Sequence, residues 1–145
     1  MVASVQGRRK GPRRAMRVRL VAFGYKYGAP RDADLLFDVR ALPNPFYVEE
    51  LRPLSGLDAP VVAFLDALPE CTEFFERLES AVGDLLEKSA LAGTPQLTIG
   101  LGCTGGRHRS VYLVHRLGRR LAGRPNIEVE ISARDLHRPA ESQGA

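Results

Sequence analysis

Gln96-Leu97-Thr98-Ile99-Gly100-Leu101-Gly102-Cys103-Thr104-Gly105-Gly106-Arg107-His108-Arg109-Ser110-Val111 is the stretch on which the fold turns. Its first six residues read as a short apolar strand, and Val111, Val114, Leu117 and Leu121 then mark one stripe of a helix that ends near Gly123. Between them, residues 102–110 form a loop with three glycines. Glycine allows positive φ and close backbone approach, so successive N–H groups can turn inward as an anion-binding nest. The helix that starts at once adds unpaired N–H groups and the positive end of its dipole. Thr104, Arg107, His108, Arg109 and Ser110 add side-chain donors, and no acid lies between Gly100 and Arg124. Phosphate is the expected guest. The plainer alternative, a tight strand-to-helix turn with solvated arginines, accounts for a glycine pair but less well for this convergence.

Outward from the loop, strands and helices alternate. Met16-Arg17-Val18-Arg19-Leu20-Val21-Ala22-Phe23 alternates as a first strand, and Leu35 to Arg40 reads as a second strand, short and apolar enough to be central. Residues 41–58 carry three prolines and a glycine and form a long ordered connection. Asp58 is placed to cap a helix over 59–68, with Pro60 in its first turn. A second helix over 71–91 shows Phe74, Phe75, Leu78, Val82, Leu85 and Leu86 at helical spacing, with an acidic face that is most simply solvated. Ile127-Glu128-Val129-Glu130-Ile131 alternates as a last strand. The fold class is therefore α/β: a small, at least partly parallel sheet covered by helices, with strand order open. Ligands of such sheets bind beyond the carboxyl ends of the strands, where the 41–58 connection and the glycine loop should both emerge.

The length of 145 residues suits one domain, expected over 16–138, with a flexible tail at 139–145. Residues 1–15 mix glycine, proline and clustered bases without apolar periodicity and are expected to be a disordered basic arm. Arg8, Arg9, Lys10, Arg13 and Arg14 make it a candidate for phosphate contacts with nucleic acid; the plainer reading is a solubilising tail, or leader residues ahead of Met16. Charge is segregated: residues 1–31 carry +9, residues 32–99 carry −9, and residues 100–145 carry +4. No run is long and apolar enough for a bilayer and no secretory signal is visible, so a cytoplasmic protein without membrane association is expected. Cys71 and Cys103 have no metal-ligand spacing and no evident disulfide role, and neither a metal nor a cofactor is expected.

Cys103 and Arg109 with Ser110 also match the Cys-x5-Arg-Ser pattern of cysteine-dependent phosphatases, in which Cys103 would be the nucleophile and Arg109 the phosphoryl clamp. The His usually found before such a cysteine is absent. Asp38 or Asp135 would have to be brought in by the fold as the acid. The bland alternative for Cys103 is a buried, inert thiol.

Several separated blocks then carry a family resemblance: Phe23-Gly24-Tyr25-Lys26-Tyr27-Gly28, Phe37-Asp38-Val39-Arg40, Leu42-Pro43-Asn44-Pro45, Leu51-Arg52-Pro53-Leu54-Ser55-Gly56-Leu57-Asp58 and the glycine loop itself. In this order, over about residues 23–122, they resemble the C-terminal domain of the RNase adapter family RapZ. The resemblance implies a non-enzymatic RNA-binding adapter or regulatory domain that senses a phosphorylated amino sugar, glucosamine-6-phosphate, and works with a ribonuclease or another protein partner. It maps the ligand pocket onto Asn44, Thr104, Gly105, Gly106, His108, Arg109 and Ser110, to which the reading of the loop adds Arg107. The family's P-loop unit has no counterpart motif here, so nucleotide binding by that route is not carried over. Phe46 stands where relatives commonly have His, and Ala133-Arg134 where they have His-Arg. Their lysine-rich tail is reduced to Arg134, His137 and Arg138. For RNA, the candidate residues are the arm, Arg134, Arg138, and a row formed by Arg109, Arg116 and Arg120 on the loop-bearing helix, away from Val114, Leu117 and Leu121. A solvated helix face is the simpler reading of that row. A phosphosugar sensor acting through a protein partner without RNA is the remaining alternative.

Overall fold

A computed structural model describes residues 15–139. The expected arm, with Arg8, Arg9, Lys10, Arg13 and Arg14, and all but the first residue of the expected tail lie outside the described residues. Four strands, β1 (Met16–Gly24), β2 (Leu35–Asp38), β3 (Gln96–Cys103) and β4 (Ile127–Ala133), form one sheet in the order β2-β3-β1-β4. All pairings are parallel: Arg17 faces Gln96 and Gly24 faces Cys103 across β1 and β3, Met16 faces Ile127 across β1 and β4, and Leu35 faces Ile99 across β2 and β3. The second strand is therefore an edge, not central. Its Leu-Leu-Phe run reads like a strand buried on both faces, but only β3 pairs with it and Leu36 remains 44% exposed.

Three helices, α1 (Ala59–Asp66), α2 (Pro69–Leu91) and α3 (Arg109–Leu121), complete the unit. Two crossovers, β2 to β3 through α1 and α2 and β3 to β4 through α3, step across the sheet in one direction. The step from β1 to β2 runs the other way through residues 25–34. Right-handed crossovers put the helices on one face and the 25–34 segment on the other. The helical face presents Val18, Leu20, Ala22, Ile99, Leu101 and Cys103, all fully buried. On the opposite face Gly100 and Gly102 leave room for aromatic rings: a Cβ at Gly102 would lie 2.5 Å from the Phe23 ring.

The α3 stripe of Val111, Val114, Leu117 and Leu121 is buried as expected, and burial extends to Tyr112, Leu113 and Gly118 because α3 packs on the sheet and against α2. At Gly118 a Cβ would lie 2.3 Å from Ile131, so the helix sits close on β4. Each fully buried leucine or valine here contributes about 1.5–3 kcal/mol. Helix α2 begins at Pro69, two residues before the expected start, because proline suits a first helical turn. Asp58 does occupy the N-cap position of α1, but its carboxylate accepts from Ser55 N at 2.7 Å and makes no capping bond to the helix. Among the described residues no helix is long and apolar enough to cross a membrane. The parallel sheet brings Gly24, Asp38, Cys103 and Ala133 to one rim, where the glycine loop also lies.

Candidate functional site

The strand feeding the loop runs through Cys103, so Gly102 is a strand residue and the loop proper is Thr104 to His108. Of the three glycines expected to supply a nest, only Gly106 has positive φ, at 77°. Gly102 is required by the aromatic rings across it. Gly106 lies against the end of β1: a Cβ there would be 2.6 Å from Gly24 N and 3.2 Å from Asp135 Cβ. Lys26 N donates to Thr104 O at 3.2 Å, and Gly56 N to Arg107 O at 2.8 Å. The loop is thus held from both sides, by β1 and by the proline-rich connection.

The donor side chains divide into two groups. Arg107 is committed to structure, its guanidinium donating to Leu136 O at 3.0 Å, Pro53 O at 3.2 Å and Leu54 O at 3.3 Å. His108 is fully buried, with Nε2 3.0 Å from Leu51 O. A carbonyl can only accept, so Nε2 carries the proton. Burial pushes the His108 imidazole below its ordinary value, the Leu51 carbonyl opposes this, and the Arg107 and Arg109 charges add to the depression. Ser110 is buried, its N–H donating to Cys103 Sγ at 3.4 Å and its Oγ 3.2 Å from the same sulfur.

Arg109 is the residue that stands out. Only 3% exposed, it donates from Nη1 to Arg40 O at 2.8 Å and Leu42 O at 3.0 Å, and from Nη2 to Thr104 Oγ1 at 3.4 Å. Every one of these acceptors is neutral. Among the described residues, Arg109 Nε and His108 Nδ1 are the buried side-chain nitrogens without a hydrogen-bond partner. Burial lowers the Arg109 pKa, with Cys103, Asp38 and Tyr47 acting against it. Asn44, on the connection, accepts from Phe46 N through Oδ1 at 3.1 Å and opens the short 3-10 turn Pro45–Tyr47. The fold therefore brings Thr104, Gly105, Gly106 and Arg109 together at the start of α3, a helix with no acidic residue in its first turn.

Three residues near this rim were not singled out as ligand-site candidates from the sequence: Tyr25, Arg40 and Tyr47. Arg40 forks onto Asp38 at 2.9 and 2.7 Å, its guanidinium carbon lies 4.1 Å over the Tyr25 ring, and its carbonyl receives Arg109. A readable signal existed, since Asp38 and Arg40 lie at the carboxyl end of a parallel strand, where such sheets bind ligands.

Of the phosphatase arrangement the fold brings Cys103 and Arg109 together but does not supply the acid. Cys103 is fully buried against Ser110. The hydrogen bond from Arg40 is the main reason the Asp38 carboxyl is held below its ordinary value. Asp135 is raised by burial, but the bonds from Arg134, Gly24 N and Arg138 outweigh this and leave it below the ordinary range. Neither carboxyl keeps a proton to give to a leaving group at neutral pH. Among the described residues no cluster of ligands could hold a metal ion. A wide cleft of about 850 Å³, lined by Met16, Leu86, Leu91, Arg124 and Ile127 among others, lies at the opposite pole of the sheet and shares no residue with the loop.

The arginine row is not a continuous surface. Arg109 is inside, while Arg116 donates to Tyr112 Oη at 2.8 Å, lies 3.8 Å from Asp66 and covers the Phe75 ring at 4.3 Å. Arg120 pairs with Glu79 at 2.8 Å. That side of α3 faces α2, which the sequence pattern of α3 alone does not reveal. Arg134 and Arg138 converge on the buried Asp135 at 2.8 and 2.7 Å and are partly exposed beside the loop.

The profile of the RapZ C-terminal domain matches residues 16–137. A nucleotide-binding protein of Burkholderia vietnamiensis is 46% identical over 134 residues, covering 84% of this chain and 44% of that protein. Proteins of the same description from Bacillus cytotoxicus and Corynebacterium efficiens are 44% and 42% identical, covering 86% and 87% of this chain and 42% and 40% of their own lengths. The chain spans less than half the length of these relatives, whose names describe binding and no catalysis. On the extent of the profile match and the level of identity, the chain belongs to the RapZ C-terminal domain family.

Proposed function

We propose that this chain is a cytoplasmic, non-enzymatic adapter and sensor domain that holds a phosphorylated, amino sugar-like ligand at Thr104, Gly105, Gly106 and Arg109 and binds RNA. The observation that carries the ligand half is the buried Arg109 guanidinium, whose hydrogen-bond partners are all neutral. A buried charge with no carboxylate bonded to it is costly, and an anion on Arg109 and the first turn of α3 relieves that cost. Asn44 forms the far wall. Arg107, His108 and Ser110 contribute by fixing the loop, each through the bonds described above.

Family membership and the rim charges Arg134 and Arg138 support the RNA half. A ribonuclease or similar protein is the partner class that the family suggests. The ligand half is tested by calorimetry with inorganic phosphate and with glucosamine-6-phosphate on the parent and on Arg109→Gln. Binding by the parent and loss in the variant, with unchanged circular dichroism, is expected; equal affinity in both removes the assignment. Filter binding on structured RNA across a salt series tests the other half, for the parent, Arg134→Ala with Arg138→Ala, and a chain starting at Met16. Phosphate contacts make affinity fall steeply with salt, and each variant should flatten that slope. No RNA binding by the parent at low salt would leave a phosphosugar sensor acting through a protein partner as the better account.

A further inference from the structure

On the segment that Arg109 holds through Leu42 O stands an aromatic ring that the anion reading leaves unused. Tyr47 is 76% exposed, whereas Phe23 and Phe75 are buried. Its position is nevertheless fixed. It ends the Pro45–Tyr47 turn, its N–H donates to Asn44 O at 3.1 Å, and Asn44 Oδ1 braces the neighbouring Phe46 N–H. The Phe46 ring meets Tyr47 edge-on at 5.5 Å and is itself covered by Arg52, whose guanidinium carbon lies 5.0 Å from that ring and whose Nε donates to Phe46 O at 2.8 Å. Five residues earlier on the same segment, Leu42 O receives Arg109, which ties this turn to the buried cation. Tyr47 is also within electrostatic reach of that guanidinium.

We propose that Tyr47 is a specificity-determining residue, a platform on which the ring of a cyclic phosphomonoester packs while its phosphate sits on Arg109 and the loop. This rests on the anion reading and adds what that reading lacks, a reason for the site to prefer a ring-bearing phosphate over phosphate itself. A phenol braced on an ordered turn offers a flat apolar face with few torsions left to freeze on binding. Ring-bearing phosphomonoesters come as pyranose phosphates or as nucleotides. Both present such a face within a few bonds of the phosphate, so both are used as probes.

The test compares the parent, Tyr47→Ala and Tyr47→Phe by calorimetry with inorganic phosphate, glucosamine-6-phosphate and uridine 5′-monophosphate. Tyr47→Ala should weaken at least one ring-bearing probe about three- to tenfold and leave inorganic phosphate within about twofold, the scale of one aromatic contact. Tyr47→Phe should keep the parent's affinities, and the probe that responds to Tyr47→Ala identifies the ring. The proposal is overturned if Tyr47→Ala leaves both ring-bearing affinities unchanged while phosphate still binds. It is also overturned if Tyr47→Phe loses as much as Tyr47→Ala, which would assign the effect to the hydroxyl. If the parent binds no phosphate at all, the anion site itself fails, and the platform with it.

Discussion

Arg109 Nη1 donates to the main-chain carbonyl of Leu42 at 3.0 Å, so the first residue of α3 is bonded to a segment 67 positions earlier in the chain. The same nitrogen reaches Arg40 O at 2.8 Å. One guanidinium thereby holds the end of β2 and the start of the proline-rich connection against the loop.

A lysine in that place keeps the charge but cannot fork onto two carbonyls and a hydroxyl. Arg109→Lys should lower the unfolding free energy by about 1–3 kcal/mol and weaken phosphate binding, the first read by urea denaturation and the second by calorimetry. Unchanged stability would mean that the bonds to Arg40 and Leu42 contribute nothing.

His108 sets a pH dependence whose sign follows from burial. Its folded pKa is depressed, so the unfolded chain binds the proton first, and the contribution is complete above the unfolded value of about 6.5 and lost as pH falls below it. The thermal midpoint should drop as pH is lowered from about 6.5 towards 5, with a slope limited to about 1.4 kcal/mol per pH unit for one such group. His115 is shifted the same way by burial, so His115→Gln is the control and His108→Gln the variant in which most of the slope should vanish. A slope that survives His108→Gln points elsewhere.

Asp135 acts in a lower window. Its carboxylate accepts from Gly24 N at 2.8 Å and pairs with Arg134 and Arg138, and its pKa is held down, so its contribution is present above the unfolded value of about 3.9 and lost below it. Asp135→Asn should cost about 1–3 kcal/mol at neutral pH, because two arginines lose their shared counter-charge. Denaturant unfolding at pH 7 and pH 3 checks this: the difference between parent and variant should shrink at the lower pH.

Gly106→Ala meets both positive φ and backbone atoms that cannot yield, Gly24 N at 2.6 Å among them. A loss of at least about 1–3 kcal/mol is expected, together with loss of phosphate binding. Gly28→Ala, also at positive φ but facing open space, supplies the comparison and should cost less in the same urea titration. Equal losses would mean that the contact with β1 adds nothing to the strain.

Much of this architecture was legible because local pattern and global packing agree. The period-two run from Met16, the helical spacing of Phe75, Leu78, Val82 and Leu86, and the glycine-rich turn into a helix all state locally what the fold then uses. The failures share one cause. Whether Leu36 is central or at an edge depends on where the 25–34 segment carries the chain, and a run of three apolar residues does not encode that. Arg107, Arg109 and Ser110 look alike as donors in a row, yet their roles are set by Leu136, by Leu42 and Arg40, and by Cys103, partners that sequence spacing does not announce. Arg116 and Arg120 read as a free row because Asp66 and Glu79 lie some 40 to 50 residues away.

Met16 N bonds to Asn126 O at one pole of the sheet, while Asp135 closes on Gly24 N at the other. Ala15 therefore enters the domain about a full strand length from the loop, roughly 30 Å for nine residues of β1, whereas the last described residues leave from its mouth. A fluorophore or affinity tag joined ahead of β1 would leave the glycine loop unobstructed. The same group joined after Pro139 would crowd it, so the two ends of the domain are not interchangeable as attachment points.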